Sequence, residues 1–220
     1  SVGNYRIQNK KKTNLILCLA ILINLLILAF YKYSPMIIDN YNLLLTNRIS
    51  VEYPELPLGI SFFTFLQIAY IVDCSKGKVY NTSFSSYFLF VSFFPHLIAG
   101  PLVHHKDLIP QFTNKLNKVM EDLSVGTVIF GIGLFKKLIL SEQVGGWSDN
   151  MFNSVDSGIM PSMIYAWIGV LSFTLLIYFD FSAYSDMAIG LSKMIGIKLP
   201  ENFNSPYKST NIIDFWRRWH

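Results

Sequence analysis

The sequence predicts an all-α, polytopic membrane helical bundle with kinked or re-entrant segments. Three observations carry that expectation. Hydrophobic residues make up 52% of the 220 residues and charged residues only 15%, against about 25% charged in an ordinary soluble domain. Mean hydropathy is +0.38. The apolar residues gather in long blocks, several near the roughly 20 residues that cross about 30 Å of hydrocarbon. The 18 Phe, 12 Tyr and 4 Trp suit a chain that meets the membrane interface. This composition excludes a disordered chain, an acidic tail and a coiled coil. The net charge of +4 comes from basic clusters between apolar blocks, so it speaks of topology and not of nucleic acid. Two cysteines, Cys18 and Cys74, exclude a disulfide scaffold and a Cys-based structural zinc site.

Arg6, Lys10, Lys11 and Lys12 precede the first block, residues 15–31, whose one polar residue is Asn24. That basic run places the N-terminal side of the block in the cytoplasm. Residues 32–57, with Pro35, Asp39, Arg48, Glu52 and Glu55, read as an external connection with an interfacial helix around 41–45. The second block, 58–72, closes at Asp73, and Lys76 and Lys78 behind it suit the cytoplasmic side. The third block, 87–103, is interrupted by Pro95 and by Gly100-Pro101. Proline removes a helical hydrogen bond and biases the preceding residue away from helix. Broken backbone at membrane depth is tolerated only inside protein or along a wet cavity, so this block reads as kinked or re-entrant. Residues 104–122 are polar, with a short surface helix expected over 116–123.

The fourth block, 125–140, carries Lys136 and Lys137 near its end, where lysines snorkel to headgroups. Residues 141–160, rich in Gly, Ser, Asp and Asn, read as a loop. The fifth block, 162–181, continues as FSAYSDMAIGLSKMIG. An extended polar stretch follows over 197–209, with Pro200 and Pro206. A last helix begins with Thr210 or Asn211 as N-cap. No internal repeat, low-complexity segment or soluble second domain is visible. The chain opens at Ser1 without Met or a signal-peptide pattern and stops at His220, directly after an aromatic-basic run. It is expected to be an internal fragment.

Four groups carry candidate chemistry. His220 follows Trp219 and the pair Arg217-Arg218. A neutral imidazole there can act as general base on a hydroxyl, and the arginines can hold a phosphate or pantetheine-phosphate group. The same run also reads as an interfacial anchor at headgroup level. Carboxylates in an apolar helix face the protein interior or a wet cavity. Ser182, Asp186 and Lys193 share one helical face, and Asp180 and Tyr184 share another. The Asp186–Lys193 face reads as polar glue between helices; Asp180 reads equally as cavity-lining or structural. His96, in FFPHLIAGP, either lines a path or, the favoured reading, hydrogen-bonds a carbonyl freed by Pro95. His104-His105 lacks the i, i+4 spacing of a helical zinc pair, so no metal is expected there. Gly126, Gly131 and Gly133 read as close helix packing. No Walker loop, Rossmann fingerprint or nucleophile elbow is present.

Six runs together resemble the membrane-bound O-acyltransferase family, MBOAT. They are NYRI with INLLILAFYKY (4–7, 23–33), LPLGISFFTFLQIAYIVD (56–73), FFPHLIAGPLVHHKDLIPQF (93–112), GIGLFKKLILSE (131–142), YFDFSAYSDMAIGLSKMIGIKLPENFNSPY (178–207) and DFWRRWH (214–220). They occur in family order, and the set is similar to the bacterial alginate O-acetyltransferase branch, which has relatives acting on peptidoglycan and in teichoic-acid D-alanylation. The resemblance makes residues 1–220 part of an MBOAT-type transmembrane domain, truncated at both ends. It implies a helical bundle around a funnel in the bacterial inner membrane. It also implies transfer of an acetyl group from acetyl-CoA, as substrate and not as bound cofactor, toward an extracytoplasmic polysaccharide or a secreted or anchored acetyltransferase partner. Lipid is then a partner and nucleic acid is not. The family pattern maps one catalytic position onto His220. Arg217, Arg218, Asp180 and His96 become candidates for donor binding or funnel lining. A second, more essential His is implied in an apolar segment beyond residue 220, so the fragment alone is expected to be inactive. Two competing readings are an export component, which predicts paired halves of similar hydropathy that the sequence lacks, and a scaffold that only recruits a secreted acetyltransferase.

Overall fold

The first apolar block forms α1 (Lys10–Leu28), in which Leu19, Leu22, Ile23 and Leu26 are all exposed. A helix with so much apolar surface uncovered is suited to lipid or to other helices. The computed structural model describes residues 10–44, 55–79, 83–97, 100–113 and 119–219. They belong to two units, Ser1–Phe93 and Phe94–His220.

In the first unit the helix does not stop near Tyr31, where a connection was expected. It passes through a π turn (Ala29–Tyr33) into α2 (Ser34–Leu44). Pro35 sits in the first turn of α2, where its ring would press on the carbonyl four residues back. The wider π turn lies at that level and accommodates the ring. The Ser34 hydroxyl donates to the Phe30 carbonyl at 2.5 Å. Of the interfacial helix expected around 41–45, residues 41–44 are the tail of α2, and 45–54 of the expected connection lie outside the described residues. α3 (Ile60–Ser75) matches the second block, and α1 packs along it, with Lys32 Nζ donating to Ser61 Oγ at 3.3 Å. α4 (Phe84–Ser92) is N-capped by Ser83, whose hydroxyl accepts the Ser86 N–H at 3.1 Å. Tyr70 of α3 meets Tyr87 and Phe90 of α4 at ring-centroid distances of 4.7 and 6.0 Å. With nine residues, α4 is about 13 Å long, less than half a bilayer core, and it ends just before Pro95.

The second unit begins with a 3₁₀ turn (Phe94–His96). The short α5 (His105–Leu108) runs into a second 3₁₀ turn (Ile109–Thr113). Then α6 (Val119–Phe135), a π turn (Lys136–Ser141) and α7 (Glu142–Asp156) form one uninterrupted rod. α8 (Met163–Met194) returns antiparallel to it, N-capped by Ser162, whose hydroxyl accepts the Tyr165 N–H at 3.4 Å. Gly126 lies against Gly190, Gly133 against Ala183 and Met187, and Gly169 against Met151. A Cβ on Gly126 or Gly133 would stand 2.7 or 2.8 Å from backbone atoms of α8, whereas one on Gly131 would meet nothing within 4 Å. Two of the three glycines read as packing residues thus do pack, and Gly131 faces away.

Residues 141–156 are helix and not the expected loop. Gly145, Ser148 and Met151 fall on one buried face against α8, and Phe152 meets Phe173 edge-on at 5.6 Å. That packing outweighs the weak helix propensity of the Gly, Ser, Asp and Asn residues. The short helix expected over 116–123 is likewise absorbed: 119–123 open α6, and 116–118 lie outside the described residues.

Lys12–Leu44, Val119–Asp156 and Met163–Met194 are long and apolar enough to cross a membrane. The chain is all-α, with one isolated β-bridge among the described residues, and reads as a multi-pass membrane protein.

Candidate active site

The candidate site is built on the far side of α8 from the rod. α8 ends in a Schellman turn: the Ile197 N–H donates to the Ser192 carbonyl at 2.8 Å and the Gly196 N–H to the Lys193 carbonyl at 2.9 Å. Gly196 holds φ +74°, which costs a glycine little and any other residue more. The turn sends the chain back along α8 as a strap, extended over 197–204 as expected and closing in a 3₁₀ turn at 206–208 where extension was expected.

Three contacts fasten the strap. The Gln111 side chain accepts the Lys198 N–H at 2.8 Å and donates to the Lys198 carbonyl at 3.1 Å, pairing with the strap as a strand would. Asn202 donates to the Ser185 hydroxyl at 2.6 Å, with both residues buried. The Tyr207 hydroxyl donates to the Thr174 carbonyl at 3.0 Å. From Ser192 to Thr174 α8 rises about 27 Å, and ten residues of chain reach at most about 36 Å. The strap covers that rise with length to spare, part of it taken up at the left-handed residue Ser205 and in a 3₁₀ turn (Pro206–Lys208).

Beyond it, α9 (Ile212–Arg218) opens with Asn211 as N-cap, whose side chain accepts the Asp214 N–H at 2.8 Å. This is the cap the sequence indicated. α9 docks through Trp219. The Phe203 and Trp219 backbones form an antiparallel bridge, and the Asn204 N–H donates to the Arg218 carbonyl at 2.9 Å. The Trp219 indole stacks on Phe215 at 5.5 Å and touches Phe203 and Tyr178 at 5.2 and 6.1 Å. A ring wedged among aromatics fixes the orientation of the backbone that carries it.

Arg217 and Arg218 lie side by side on this helix. Arg218 is engaged: Nε donates to Asp214 at 2.8 Å and an η nitrogen to the Asn204 carbonyl at 3.4 Å. Arg217 is exposed. His220 lies outside the described residues, one peptide beyond Trp219.

Asp180 stands apart from this cluster. It is two residues from Tyr178, about 200° around the helix, and pairs with Lys137, with Ser141 Oγ 3.5 Å away. Lys136 pairs with Asp186 at 2.5 Å, and Lys193 with Asp122 at 2.5 Å. Asp186 and Lys193 are glue between helices, as their setting suggested, each pairing across to the rod and not with one another. Lys136 and Lys137, expected to snorkel to headgroups, turn to α8 instead. Adjacent residues of a regular helix diverge by about 100°. The π turn that holds them changes that register, and both reach carboxylates on one neighbour. His96 is completely buried in its 3₁₀ turn, which packs on α8. The Gly100 backbone closes over it: a Cβ there would fall 2.5 Å from the His96 Cα.

The structure thus groups Arg217, Arg218 and Trp219 on α9, and puts Asp180 on the opposite face of α8. Sequence reasoning passed over Gln111, Ser185 and Asn202. The signal for Asn202 was a polar side chain in an extended run between two prolines, Pro200 and Pro206.

The chain is 43% identical to a peptidoglycan O-acetyltransferase of Helicobacter pylori, over 93% of this chain and 43% of that protein. It is 39% identical to a probable alginate O-acetylase of Azotobacter vinelandii, over 93% of this chain and 41% of that protein. A teichoic acid D-alanyltransferase of Bacillus subtilis is 29% identical, over 74% of this chain and 41% of the relative. The chain therefore spans less than half the length of these relatives. The membrane-bound O-acyltransferase family pattern runs over residues 12–220, taking in the rod, α8, the strap and α9. On that match the chain belongs to the membrane-bound O-acyltransferase family.

Proposed function

We propose that the protein is an O-acetyltransferase of the bacterial inner membrane, with the N-terminal side of α1 in the cytoplasm. It moves an acetyl group from acetyl-CoA toward an extracytoplasmic polysaccharide, directly or through a secreted or anchored partner. The observation that carries this reading is the docked α9: a basic, aromatic helix capped by Asn211 and pinned through Trp219 to the strap, within a chain whose relatives include O-acetyltransferases.

In the proposed reaction His220 accepts the proton of the acceptor hydroxyl as its oxygen attacks the thioester carbonyl. The carbon–oxygen bond forms, the carbon–sulfur bond breaks, and the thiolate of coenzyme A leaves and takes up a proton. Arg217 orients the phosphates of the donor. Arg218, bound to Asp214 and to the Asn204 carbonyl, keeps α9 in shape beneath it. Asp180 and His96 act from the helix packing that surrounds the site. Enclosing the thioester away from water limits its hydrolysis.

The test is His220→Ala in the intact protein, with O-acetylation of the product polymer as readout. Loss of acetylation by about a hundredfold or more is expected for removal of a general base; acetylation at the wild-type level removes His220 from the chemistry. Turnover of radiolabelled acetyl-CoA by the purified intact protein tests the donor.

A further inference from the structure

We propose that Asn202 is a positioning residue for His220, acting through Ser185 and Trp219. The proposal rests on the reading of His220 as the base. Asn202 is 9% exposed and Ser185 1% exposed, and their hydrogen bond at 2.6 Å ties the middle of the strap to the body of α8. One residue on, Phe203 forms the backbone bridge to Trp219, and Asn204 donates to the Arg218 carbonyl. The path from α8 to the residue before His220 is thus one side-chain hydrogen bond followed by two backbone contacts, with no flexible side chain between.

The neighbouring fastenings do not substitute for it. Gln111 holds the strap four residues earlier, at Lys198, and Tyr207 holds it after the left-handed turn at Ser205. Releasing Asn202 leaves the segment that carries the bridge held to α8 by the Phe203 ring contacts with Tyr178 and Phe181, which fix its direction less than a hydrogen bond does, while α9 keeps its Asn211 cap and its own aromatic stacking. A hydroxyl amide pair of this kind is directional, so it sets where the Phe203 backbone lies and hence where the Trp219 backbone bridged to it lies.

The experiment uses the intact protein in its membrane, with activity expressed per mole of folded protein. Asn202→Ala and Ser185→Ala are each expected to lower kcat about tenfold, the size of one directional hydrogen bond, and to leave KM for acetyl-CoA unchanged. The double variant is expected to be no slower than either single, because both remove one interaction. A second readout does not depend on the chemistry: His220→Cys is combined with Asn202→Ala, and the rate of maleimide labelling at position 220 is compared with that of His220→Cys alone. A change of several-fold is expected.

A merely structural role would lower the yield of folded protein and leave kcat, KM and the labelling rate of what remains untouched; that result overturns the proposal. Should Asn202→Ala fail to accumulate, Ser185→Ala removes the same bond with a smaller change, and wild-type kcat in it overturns the proposal equally. If His220→Ala keeps full activity while labelling still shifts, the catalytic reading falls and the mechanical link stands. If His220→Ala is inactive while Asn202→Ala and Ser185→Ala turn over normally, the link falls and the catalytic reading stands.

Discussion

Gly131 and Gly133 lie two residues apart on α6, and alanine is expected to act on them in opposite directions. At Gly133 a Cβ would stand 2.8 Å from the Ala183 carbonyl oxygen and 2.8 Å from the Met187 nitrogen. Both are backbone atoms of α8 and cannot swing aside. Restoring an ordinary contact of about 3.4 Å parts the helices locally by about 0.6 Å, and a gap of that size forfeits a quarter to a half of each contact's attraction. Over some fifty atom pairs at about 0.15 kcal/mol each, the loss is about 2–4 kcal/mol, of the order of measured overpacking costs. Between apolar helices in lipid such packing is a main source of association. Alanine returns up to about 1 kcal/mol through helix propensity, leaving Gly133→Ala destabilised by about 1–3 kcal/mol. At Gly131 the new methyl meets nothing within 4 Å, so Gly131→Ala is neutral or more stable by up to about 1 kcal/mol. Equilibrium unfolding in mixed micelles, followed by the fluorescence of Trp147 on α7 and Trp167 on α8, measures both variants. Equal stabilities, or a more stable Gly133→Ala, would refute the close approach of these helices.

The ion pairs between rod and α8 make a second test. Lys193 and Asp122 have side chains 24% and 17% exposed, so Asp122→Asn strands a largely buried ammonium and should cost about 1–3 kcal/mol, read by the same unfolding assay. Exchanging the charges, Asp122→Lys with Lys193→Asp, should recover most of that loss. Ser205 holds φ +48° and ψ +61°, a left-handed conformation that costs an L-residue about 1–2 kcal/mol. Ser205→Gly should raise stability by up to about 1 kcal/mol and Ser205→Val should lower it by a similar amount, measured by thermal unfolding; the reverse order would contradict the assigned backbone.

Local signals in the sequence were the ones that could be read directly. Pro95 marks where α4 stops, Asn211 caps the helix that follows it, and the extended prolyl stretch is the strap. Each of these is decided by one or two residues and their own backbone. What lay beyond reach depends on register between distant segments. Residues 141–156 are poor helix formers that become helical because Gly145 and Met151 fit against Leu176 and Gly169. Lys136 and Lys137 lean inward because the packing of Gly126 and Gly133 brings Asp180 and Asp186 alongside them. Nothing local announces a π turn. At the candidate site the arginines and the N-cap were visible in the run itself, whereas Ser185, Asn202 and Gln111 matter only once the strap lies on α8.

The depth of the strap follows from the length of α8. Its 32 residues rise about 48 Å, against roughly 20 residues and 30 Å for the hydrocarbon core. Whichever 20 of the 32 lie within that core, residues 175–182 are always among them. Phe203 touches Tyr178 and Phe181, and Trp219 touches Tyr178, so the bridge between strap and α9 sits at that level. Extended backbone there has no helix to satisfy its N–H and C=O groups, and each left unpaired in lipid costs several kcal/mol. The strap side of α8 must therefore look into protein or water.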